Sequence, residues 1–298
     1  MIKSIVITGI SSGIGYGTAK EFVNHGYRVF GSVRKSEDAK IAKAELGTSF
    51  TPLLFDVTDH EAVLRATAQV EETVGGAGLA GLVNNAGTAL AGPLMHQPLE
   101  EVRQQFEVNV LGLISVTQAF LPLLGAKKEP LAHKPGRIVN VSSISGKVGE
   151  PFLGAYVGTK HAVEGISDSL RRELLLYGID VIVIRPGAVK TPIWEKGAAP
   201  VVAGGYDQTD YAGPLDRFQR YAEKLASDGY SPETFGRLVR KVFEAKRPKT
   251  RYAIVPGRFT DWTIPTSLPD RWLDRLIGRG LGLAQAAGRY HKHSRESA

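Results

Sequence analysis

The feature that most constrains this chain is a glycine-rich turn between an apolar segment and a helix. Residues 4–8 are apolar or β-branched apart from the leading serine, as in a buried strand. Three glycines and two serines fall within residues 9–15. A helix is predicted for residues 15–25, with Gly26 as its C-terminal cap, and a second strand for residues 28–33. This order predicts an α/β unit with parallel strands.

The same alternation of strands and helices continues along most of the chain. It predicts an α/β fold in which helices connect parallel strands. Further strands are predicted at residues 50–57, 180–185 and 251–256, with two more beginning at residues 81 and 137, and further helices at residues 36–46, 59–74, 99–124 and 232–245.

The glycine turn has the features of a phosphate-binding loop. Glycines between a strand and a helix let the backbone approach a phosphate, and the first amides of the helix donate to the anion. A plain connection that binds nothing is one alternative. Another is a hydrolase, because residues 9–13 fit the GxSxG pattern with Ser11 as the nucleophile. A hydrolase is disfavoured because the turn follows the first strand and the sequence contains no HGGG-type segment.

Charged residues after the second and third strands bear on the choice of nucleotide. A dinucleotide fold that prefers NAD usually has an acid after its second strand, where this chain has Val33 and Arg34. An arginine there suits a 2′-phosphate, although a solvated loop charge is the common alternative. Asp56 follows the third strand, and it can accept from an adenine amine or cap the next helix together with Thr58 and Asp59.

A hydroxyl, a phenol and an ammonium group are predicted to meet after the fifth strand. Ser143 lies at the carboxyl end of that strand, where open α/β sheets bind ligands. Tyr156 and Lys160 are four residues apart, so a helix presents them on one face. Because a lysine beside a tyrosine favours the phenolate, we expect the pKa of Tyr156 to lie below its usual value of about 10.

Other polar or small residues fall at the same predicted edge of the sheet. Residues 84–87 (Asn-Asn-Ala-Gly) follow the fourth strand, and residues 186–191 form a second glycine turn after the sixth. Asn109 interrupts the apolar face of the helix predicted at residues 99–124. A lone buried asparagine is usually structural, and a catalytic role requires that Lys160 lie near it.

Composition and charge exclude several classes of protein. The chain has 298 residues and no cysteine, which excludes disulfides, thiolate metal sites and a cysteine nucleophile. Residues 237–298 hold 14 Lys/Arg and 5 Asp/Glu, whereas residues 1–236 hold 23 and 25, so a nucleic-acid surface on the main body is disfavoured. The longest apolar run, residues 108–124, contains polar residues and a proline and is typical of a buried helix. No secretory leader precedes the first strand, and we expect a cytoplasmic protein.

The last third of the chain divides into a candidate lid and a basic extension. We expect residues 1–256 to form a dinucleotide-binding catalytic domain, in which the aromatic-rich residues 192–230 cover the substrate. Residues 257–298 form the extension, with a helix predicted within residues 268–283.

The predicted helix of the extension is basic and amphipathic. Arginines at 271, 275 and 279 share one side, and Trp272, Leu273, Leu276 and Ile277 lie on the other. We favour a helix packed on its own domain, although contact with a membrane surface or a partner is the alternative. His291 and His293 are interpreted as part of a frayed end, and no metal site is expected.

Taken together, these motifs resemble the short-chain dehydrogenase/reductase family over residues 3–255. The resemblance implies a doubly wound, Rossmann-type fold, with a seven-stranded parallel sheet in the order 3-2-1-4-5-6-7 and helices on both faces. Gly17 departs from the family pattern, and we expect it to weaken its helix by about 1 kcal/mol relative to alanine. The matching residues are Thr8, Gly9, Gly13, Gly15, Asn84, Asn85, Ala86, Gly87, Asn109, Ser143, Tyr156, Lys160, Pro186, Gly187 and Thr191.

The resemblance also implies a role for each residue. Tyr156 is the general acid in ketone reduction or the base in alcohol oxidation, and Lys160 lowers its pKa and holds the nicotinamide ribose. Ser143 polarises the carbonyl oxygen, and Asn109 positions a water that passes protons to Lys160. Arg34 matches the NADP-type position, so NADP(H) is expected before NAD(H). The implied cofactor contacts are Gly9, Ser11, Ser12, Gly13, Ile14, Gly15, Arg34, Asp56, Val57, Asn85, Ala86, Gly87, Tyr156, Lys160, Pro186, Gly187, Val189 and Thr191.

The expected substrate is hydrophobic. Residues 251–252 and 268–272 resemble, more loosely, family members that act on steroids, retinoids and other lipophilic alcohols. Residues 144–153 show no acid or arginine clamp for a charged substrate, and we expect an apolar wall there, formed by Val148, Pro151, Phe152 and Leu153.

We therefore expect an NADP(H)-dependent oxidoreductase that interconverts a hydrophobic secondary alcohol and its ketone, or a primary alcohol and its aldehyde. Family members are often dimers or tetramers, and we expect a homo-oligomer. A non-catalytic, NADP-sensing module is the main alternative, besides the hydrolase built on Ser11.

Overall fold

Seven parallel strands form one sheet in the order β3-β2-β1-β4-β5-β6-β7, which confirms the fold that the motifs imply. The computed structural model describes residues 2–129, 133–191 and 205–284. The strands are β1 Ser4–Ile7, β2 Arg28–Val33, β3 Phe50–Leu54, β4 Gly81–Asn84, β5 Arg137–Val141, β6 Asp180–Pro186 and β7 Arg251–Ile254.

Helices cover both faces of the sheet. Their bounds are α1 Gly13–Asn24, α2 Ser36–Leu46, α3 His60–Val74, α4 Leu99–Phe106, α5 Gly112–Leu124, α6 Gly154–Glu173, α7 Ala212–Asp228, α8 Pro232–Glu244, α9 Ile264–Ser267 and α10 Asp270–Leu281. β3 and β7 end two or three residues before their predicted ends, because the chain leaves the sheet there and each is an edge strand with a single neighbour.

The sheet separates two hydrophobic layers, and neighbouring residues of one strand contribute to both. Val139 of β5 packs in a cluster with Phe22 of α1 and Phe235 of α8. Ile138, the preceding residue, packs in a second cluster with Phe120 of α5. Strands buried on both faces are apolar at successive positions rather than alternate ones, as their sequences show.

The predicted helix at residues 99–124 is interrupted in the middle. A π-helical turn, Glu107–Leu111, separates α4 from α5 and contains Asn109. By length and composition alone, Leu99–Leu124 could cross a membrane. Val116 and Phe120 are completely buried in the core of the domain, and this segment is a core helix, as predicted.

Helix α1 packs against α8 backbone to backbone. A Cβ atom added to Gly17 would lie 2.2 Å from the carbonyl oxygen of Pro232, and one added to Gly236 would lie 2.3 Å from the carbonyl oxygen of Gly17. The expectation that Gly17 only weakens its helix is therefore incomplete, because the missing side chain is what lets the two helices approach.

Partly buried ion pairs hold α6 against the end of the sheet. Glu164 accepts from Arg185 at 2.8 Å and from Arg251 at 2.9 Å, and Arg251 also pairs with Asp168 at 2.8 Å. Since β6 and β7 carry the two arginines, these contacts set the position of the helix that carries Tyr156.

The chain leaves the sheet after β6 and returns to nearly the same point before α8. The backbone N–H of Lys190 donates to the carbonyl oxygen of Tyr230 at 2.9 Å, and the N–H of Tyr230 donates to Ala188 at 3.1 Å. Residues 192–204, including Trp194, lie outside the described residues. Beyond them, α7 forms a regular helix where the aromatic spacing had indicated only weak periodicity.

The last described residues pack beside α7. Leu281 and Leu283 contact the cluster that contains Leu215 of α7, as expected for a helix packed on its own domain. Two apolar residues of α10 nevertheless remain at the surface, because Trp272 is 64% exposed and Leu276 58%. His291 and His293 lie outside the described residues.

Candidate active site

A cavity of about 280 Å³ lies at the carboxyl ends of the strands and gathers most of the predicted site residues. Three predicted residues, Asn109, Gly13 and Gly15, are not among its lining residues. The predicted residues that line it are Gly9, Ser11, Ser12, Ile14, Arg34, Asp56, Val57, Asn85, Ala86, Gly87, Ser143, Tyr156, Lys160, Pro186, Gly187, Val189 and Thr191.

Glycines in the first turn make room for its neighbours. Gly9 has a positive φ of 70°, and a Cβ atom there would lie 2.8 Å from the Cα of Ala86. A Cβ on Gly15 would lie 2.2 Å from the carbonyl oxygen of Gly9. Asn85 donates its side-chain amide to that same oxygen at 3.1 Å. These contacts bring the turn after β4 against the turn after β1.

The N-terminus of α1 opens into this cavity. Ser12 adopts an extended conformation before the helix, and its side chain does not cap it. Helix N-termini attract anions through their amides and dipole. Ser11, Ser12 and Ile14 all line the cavity, so this end of the site fits the phosphates of a dinucleotide.

Arg34 and Asp56 stand at the other end of the cavity. Arg34 is 73% exposed, and its Nη1 lies 3.8 Å from Asp56 Oδ2. The cap of α3 is Asp59, which accepts from Ala62 N at 3.0 Å, and Asp56 instead accepts from Thr58. The cap role is thereby assigned to Asp59, and Asp56 remains available to a nucleotide.

Asn109 ties the loop after β4 to α6. Its Oδ1 accepts from Thr88 N at 2.8 Å, and its Nδ2 donates to Thr88 O at 2.8 Å and to Thr159 Oγ1 at 3.0 Å. A Cβ on Gly87 would lie 3.1 Å from Asn109 Oδ1 and 3.8 Å from Lys160 Nζ, so both side chains border the same glycine. The side chain of Asn109 is structural here, and its predicted water relay stays a prediction.

Lys160 is buried beside Tyr156. Its Nζ donates to the carbonyl oxygen of Val141 at 3.0 Å and lies 5.5 Å from the centre of the Tyr156 ring. Burial lowers the pKa of Lys160 to about 8, although the nearby Glu164 carboxylate raises it. The ammonium group is therefore favoured over the amine at neutral pH by a much smaller margin than for a lysine in water.

The predicted downward shift of the Tyr156 pKa is wrong for the described chain. Burial raises the pKa of Tyr156 to about 12, the hydrogen bond with Ser143 opposes this, and the charge of Glu150 adds to the rise. Spacing places a lysine next to the phenol but says nothing about how far both are removed from water, and here desolvation dominates.

An acid lies in the segment that was expected to be an apolar wall. Glu150 Oε2 accepts from Ser145 Oγ at 2.6 Å, and Ser145 Oγ lies 3.1 Å from Ser143 Oγ. Burial raises the pKa of Glu150, and the Ser145 hydrogen bond opposes it. Phe152 and Leu153 are buried as expected, but the segment is not purely apolar.

An apolar cluster surrounds the phenol of Tyr156. Phe152 and Leu153 contribute from the loop before α6, and Leu215 and Phe218 contribute from α7. Leu215 and Phe218, from the predicted lid, therefore belong to the same buried cluster as Tyr156, and their role as a lid stays a prediction.

Several lining residues were not predicted. Ser32 accepts from the N–H of Gly9 at 2.9 Å and so connects the end of β2 to the glycine turn. The sequence could have indicated Ser32, because it is a small polar residue near the end of a buried strand. The other unpredicted lining residues are Val33, Phe55, Thr88, Ala89, Gln104, Val108, Val141 and Ser142.

Comparison with known proteins agrees with this geometry. The family model described as short chain dehydrogenase matches residues 3–200. An "NADPH-dependent 3-dehydrocapnine reductase" from Ornithobacterium rhinotracheale is 42% identical over 94% of this chain and 98% of its own length. The human protein "Dehydrogenase/reductase SDR family member 9" is 34% identical over 92% of this chain and 87% of its own.

A solved structure agrees as well. The crystal structure of a short-chain dehydrogenase from Streptomyces avermitilis superposes with a TM-score of 0.74 at 27% identity, and covers 94% of this chain and 98% of its own. The glycine turn, the seven-stranded sheet and these matches lead to one conclusion: the chain is an oxidoreductase that belongs to the short-chain dehydrogenase/reductase family.

Proposed function

We propose that this enzyme uses NADP(H) to interconvert a hydrophobic secondary alcohol and its ketone, or a primary alcohol and its aldehyde. The observation that carries the proposal is the position of the Tyr156 phenol. It belongs to the cavity that fits a dinucleotide and also to the apolar cluster with Phe152 and Phe218. A proton donor between a nucleotide cavity and an apolar surface suits a carbonyl reductase.

Two polar side chains act on the substrate oxygen during reduction. Ser143 donates a hydrogen bond to the substrate oxygen, which gains negative charge in the transition state. Tyr156 then transfers its hydroxyl proton to that oxygen. When bound, a reduced nicotinamide supplies the hydride. With a pKa raised to about 12, the phenol keeps its proton at neutral pH, as a general acid in reduction must.

The preference for NADP(H) rests on two independent supports. Arg34 lines the cavity at the end of β2, where a 2′-phosphate would find a guanidinium rather than a carboxylate. The relative from Ornithobacterium rhinotracheale is named as NADPH-dependent. Residues fit this group at both ends of the cavity, at the α1 N-terminus and at Arg34.

The test is Tyr156→Phe, assayed by NADPH absorbance against acetophenone and decanal. We expect turnover to fall by roughly 10²–10⁴-fold while NADPH still binds, because general acid–base steps contribute about that factor. Retained turnover would contradict the mechanism. A wild type that binds NADPH and reduces no carbonyl in a broader panel would instead favour the sensing module.

We also propose a homo-oligomer formed through α4, α5 and α6. Leu99, Phe106 and Leu111 are exposed on α4 and the π turn, at 68%, 37% and 50%. A Cβ atom added to Gly158 of α6 would lie 3.5 Å from the Phe106 ring, so Phe106 borders α6. Light scattering of the purified protein measures the assembly directly, and a monomer at micromolar concentration would contradict it.

A further inference from the structure

Three polar side chains form a chain of hydrogen bonds that ends at the substrate site. Ser145 Oγ lies 2.6 Å from Glu150 Oε2, and Ser143 Oγ lies 3.1 Å from Ser145 Oγ. The backbone N–H of Ser145 also donates to Ser143 Oγ at 3.1 Å. Ser143 and Ser145 are held by the single 3₁₀ turn Ile144–Gly146, so their spacing is fixed locally.

The protonation state of Glu150 determines the direction of the hydrogen bonds that link Glu150, Ser145 and Ser143. An ionised carboxylate only accepts, so Ser145 must donate its single O–H to Glu150. Ser145 Oγ can then only accept from Ser143, which directs the Ser143 O–H away from Tyr156. A protonated Glu150 can donate to Ser145. The Ser145 O–H is then free to donate to Ser143, whose two lone pairs are filled by Ser145 and whose own O–H points outward.

We propose that Glu150 is a positioning residue, and that its neutral form turns the Ser143 hydroxyl toward the substrate oxygen. The inference rests on the proposed carbonyl reduction, in which Ser143 must donate. When Glu150 is ionised, Ser143 has to give up its hydrogen bond to Ser145 before it can donate to the substrate. A net hydrogen bond contributes about 0.5–1.5 kcal/mol, so reduction should slow by roughly two- to tenfold.

The surroundings of Glu150 favour the neutral form. Within the described ranges no lysine, arginine or histidine forms an ion pair with it. The charge of Glu150 acts on two titratable groups, Tyr156 on α6 and Tyr221 on α7, and Asp261 also acts on Tyr221. None of them carries a positive charge, and burial raises the pKa of Glu150.

The decisive variant is Glu150→Gln, whose side-chain amide donates permanently to Ser145 and so mimics the protonated acid. For the wild type, kcat/KM for acetophenone should fall two- to tenfold as pH rises through the pKa of Glu150. In Glu150→Gln we expect this fall to disappear, with kcat/KM staying at its value at acidic pH. Ser145→Ala removes the hydroxyl that links Glu150 to Ser143, and should also remove the fall in kcat/KM. Glu173→Gln, an exposed glutamate at the end of α6, is the matched control and should keep the wild-type profile.

A second readout does not depend on turnover. Infrared difference spectra of the full chain should show a protonated carboxyl band that titrates at the pH of the fall in kcat/KM and is absent in Glu150→Gln. A Glu150→Gln profile identical to that of the wild type, or a uniform loss of kcat/KM at every pH, would overturn the proposal. So would a carboxyl band that titrates elsewhere. A wild type that reduces no carbonyl contradicts the proposed function instead.

Discussion

The nucleotide end of the active site is formed mainly by backbone atoms, and the substrate end by side chains. At the nucleotide end, Gly9, Gly15 and the uncapped N-terminus of α1 shape the cavity. At the substrate end, the chemistry depends on the titratable side chains of Tyr156 and Lys160, which are both buried. Backbone geometry leaves a pattern of glycines in the sequence. The charge state of a side chain depends on how deeply it is buried, and the local amino-acid pattern does not show this.

This difference explains which predictions succeeded. The glycine spacing placed the turn correctly, because few residues other than glycine allow a positive φ and such close contacts. The sheet order followed from the family motifs. The Tyr156 pKa was predicted in the wrong direction, because the spacing of Tyr156 and Lys160 gives their proximity and not their distance from water.

Other misses have the same origin. Glu150 lies next to Pro151 in a turn, where an acid usually faces solvent, and only the folding of the loop before α6 places it on Ser145. The π turn that holds Asn109 was not predicted, because one polar residue in an apolar helix does not show which backbone hydrogen bonds the helix makes. The exposure of Trp272 could not be read from a helical pattern, since the pattern does not say which apolar residues find a partner.

The largest effect is expected from Gly17→Ala, which changes the packing of α1, the helix whose N-terminus forms the nucleotide end. Helix propensity alone predicts a gain of about 1 kcal/mol. The added Cβ would meet the carbonyl oxygen of Pro232 at 2.2 Å, so we expect instead a loss of roughly 1–3 kcal/mol in the free energy of unfolding, measured with urea. Gly165→Ala is the control, because a Cβ on this exposed glycine of α6 meets nothing within 4 Å and should stabilise. An increase in the free energy of unfolding of Gly17→Ala would show that α1 and α8 can move apart at little cost in stability.

The substrate half is tested by Lys160→Met. Burial lowers the Lys160 pKa from 10.5 to about 8, and removing this ammonium group should stabilise the protein by roughly 1–3 kcal/mol at neutral pH while activity is lost. Between pH 8 and 10.5 the unfolded wild type binds the proton more tightly than the folded one, so wild-type stability rises with pH and the gap to the variant closes.

Urea unfolding at several pH values measures this gap. Lys190→Met, at an exposed lysine, should change stability by less than about 0.5 kcal/mol at every pH. A pH-independent difference between Lys160→Met and the wild type would mean that packing, and not charge, separates them.

The smallest effect is expected where a side chain of the nucleotide half is exposed. Arg34→Asp should shift the ratio of kcat/KM for NADPH over NADH toward NADH by about tenfold or more, with little change in stability. Lys35→Asp, at the neighbouring exposed lysine outside the cavity, is the control and should leave the ratio unchanged. An unchanged ratio in Arg34→Asp would make Arg34 only a loop charge.

The backbone pairing between Lys190 and Tyr230 has a consequence for how this enzyme can be altered. The segment between these residues starts and finishes at adjacent points, held by two hydrogen bonds. The segment carries α7, whose Leu215 and Phe218 belong to the same buried cluster as Tyr156. Substitutions on this face of α7 should therefore alter which molecules reach Tyr156, while the two backbone hydrogen bonds keep the ends of the segment at the sheet.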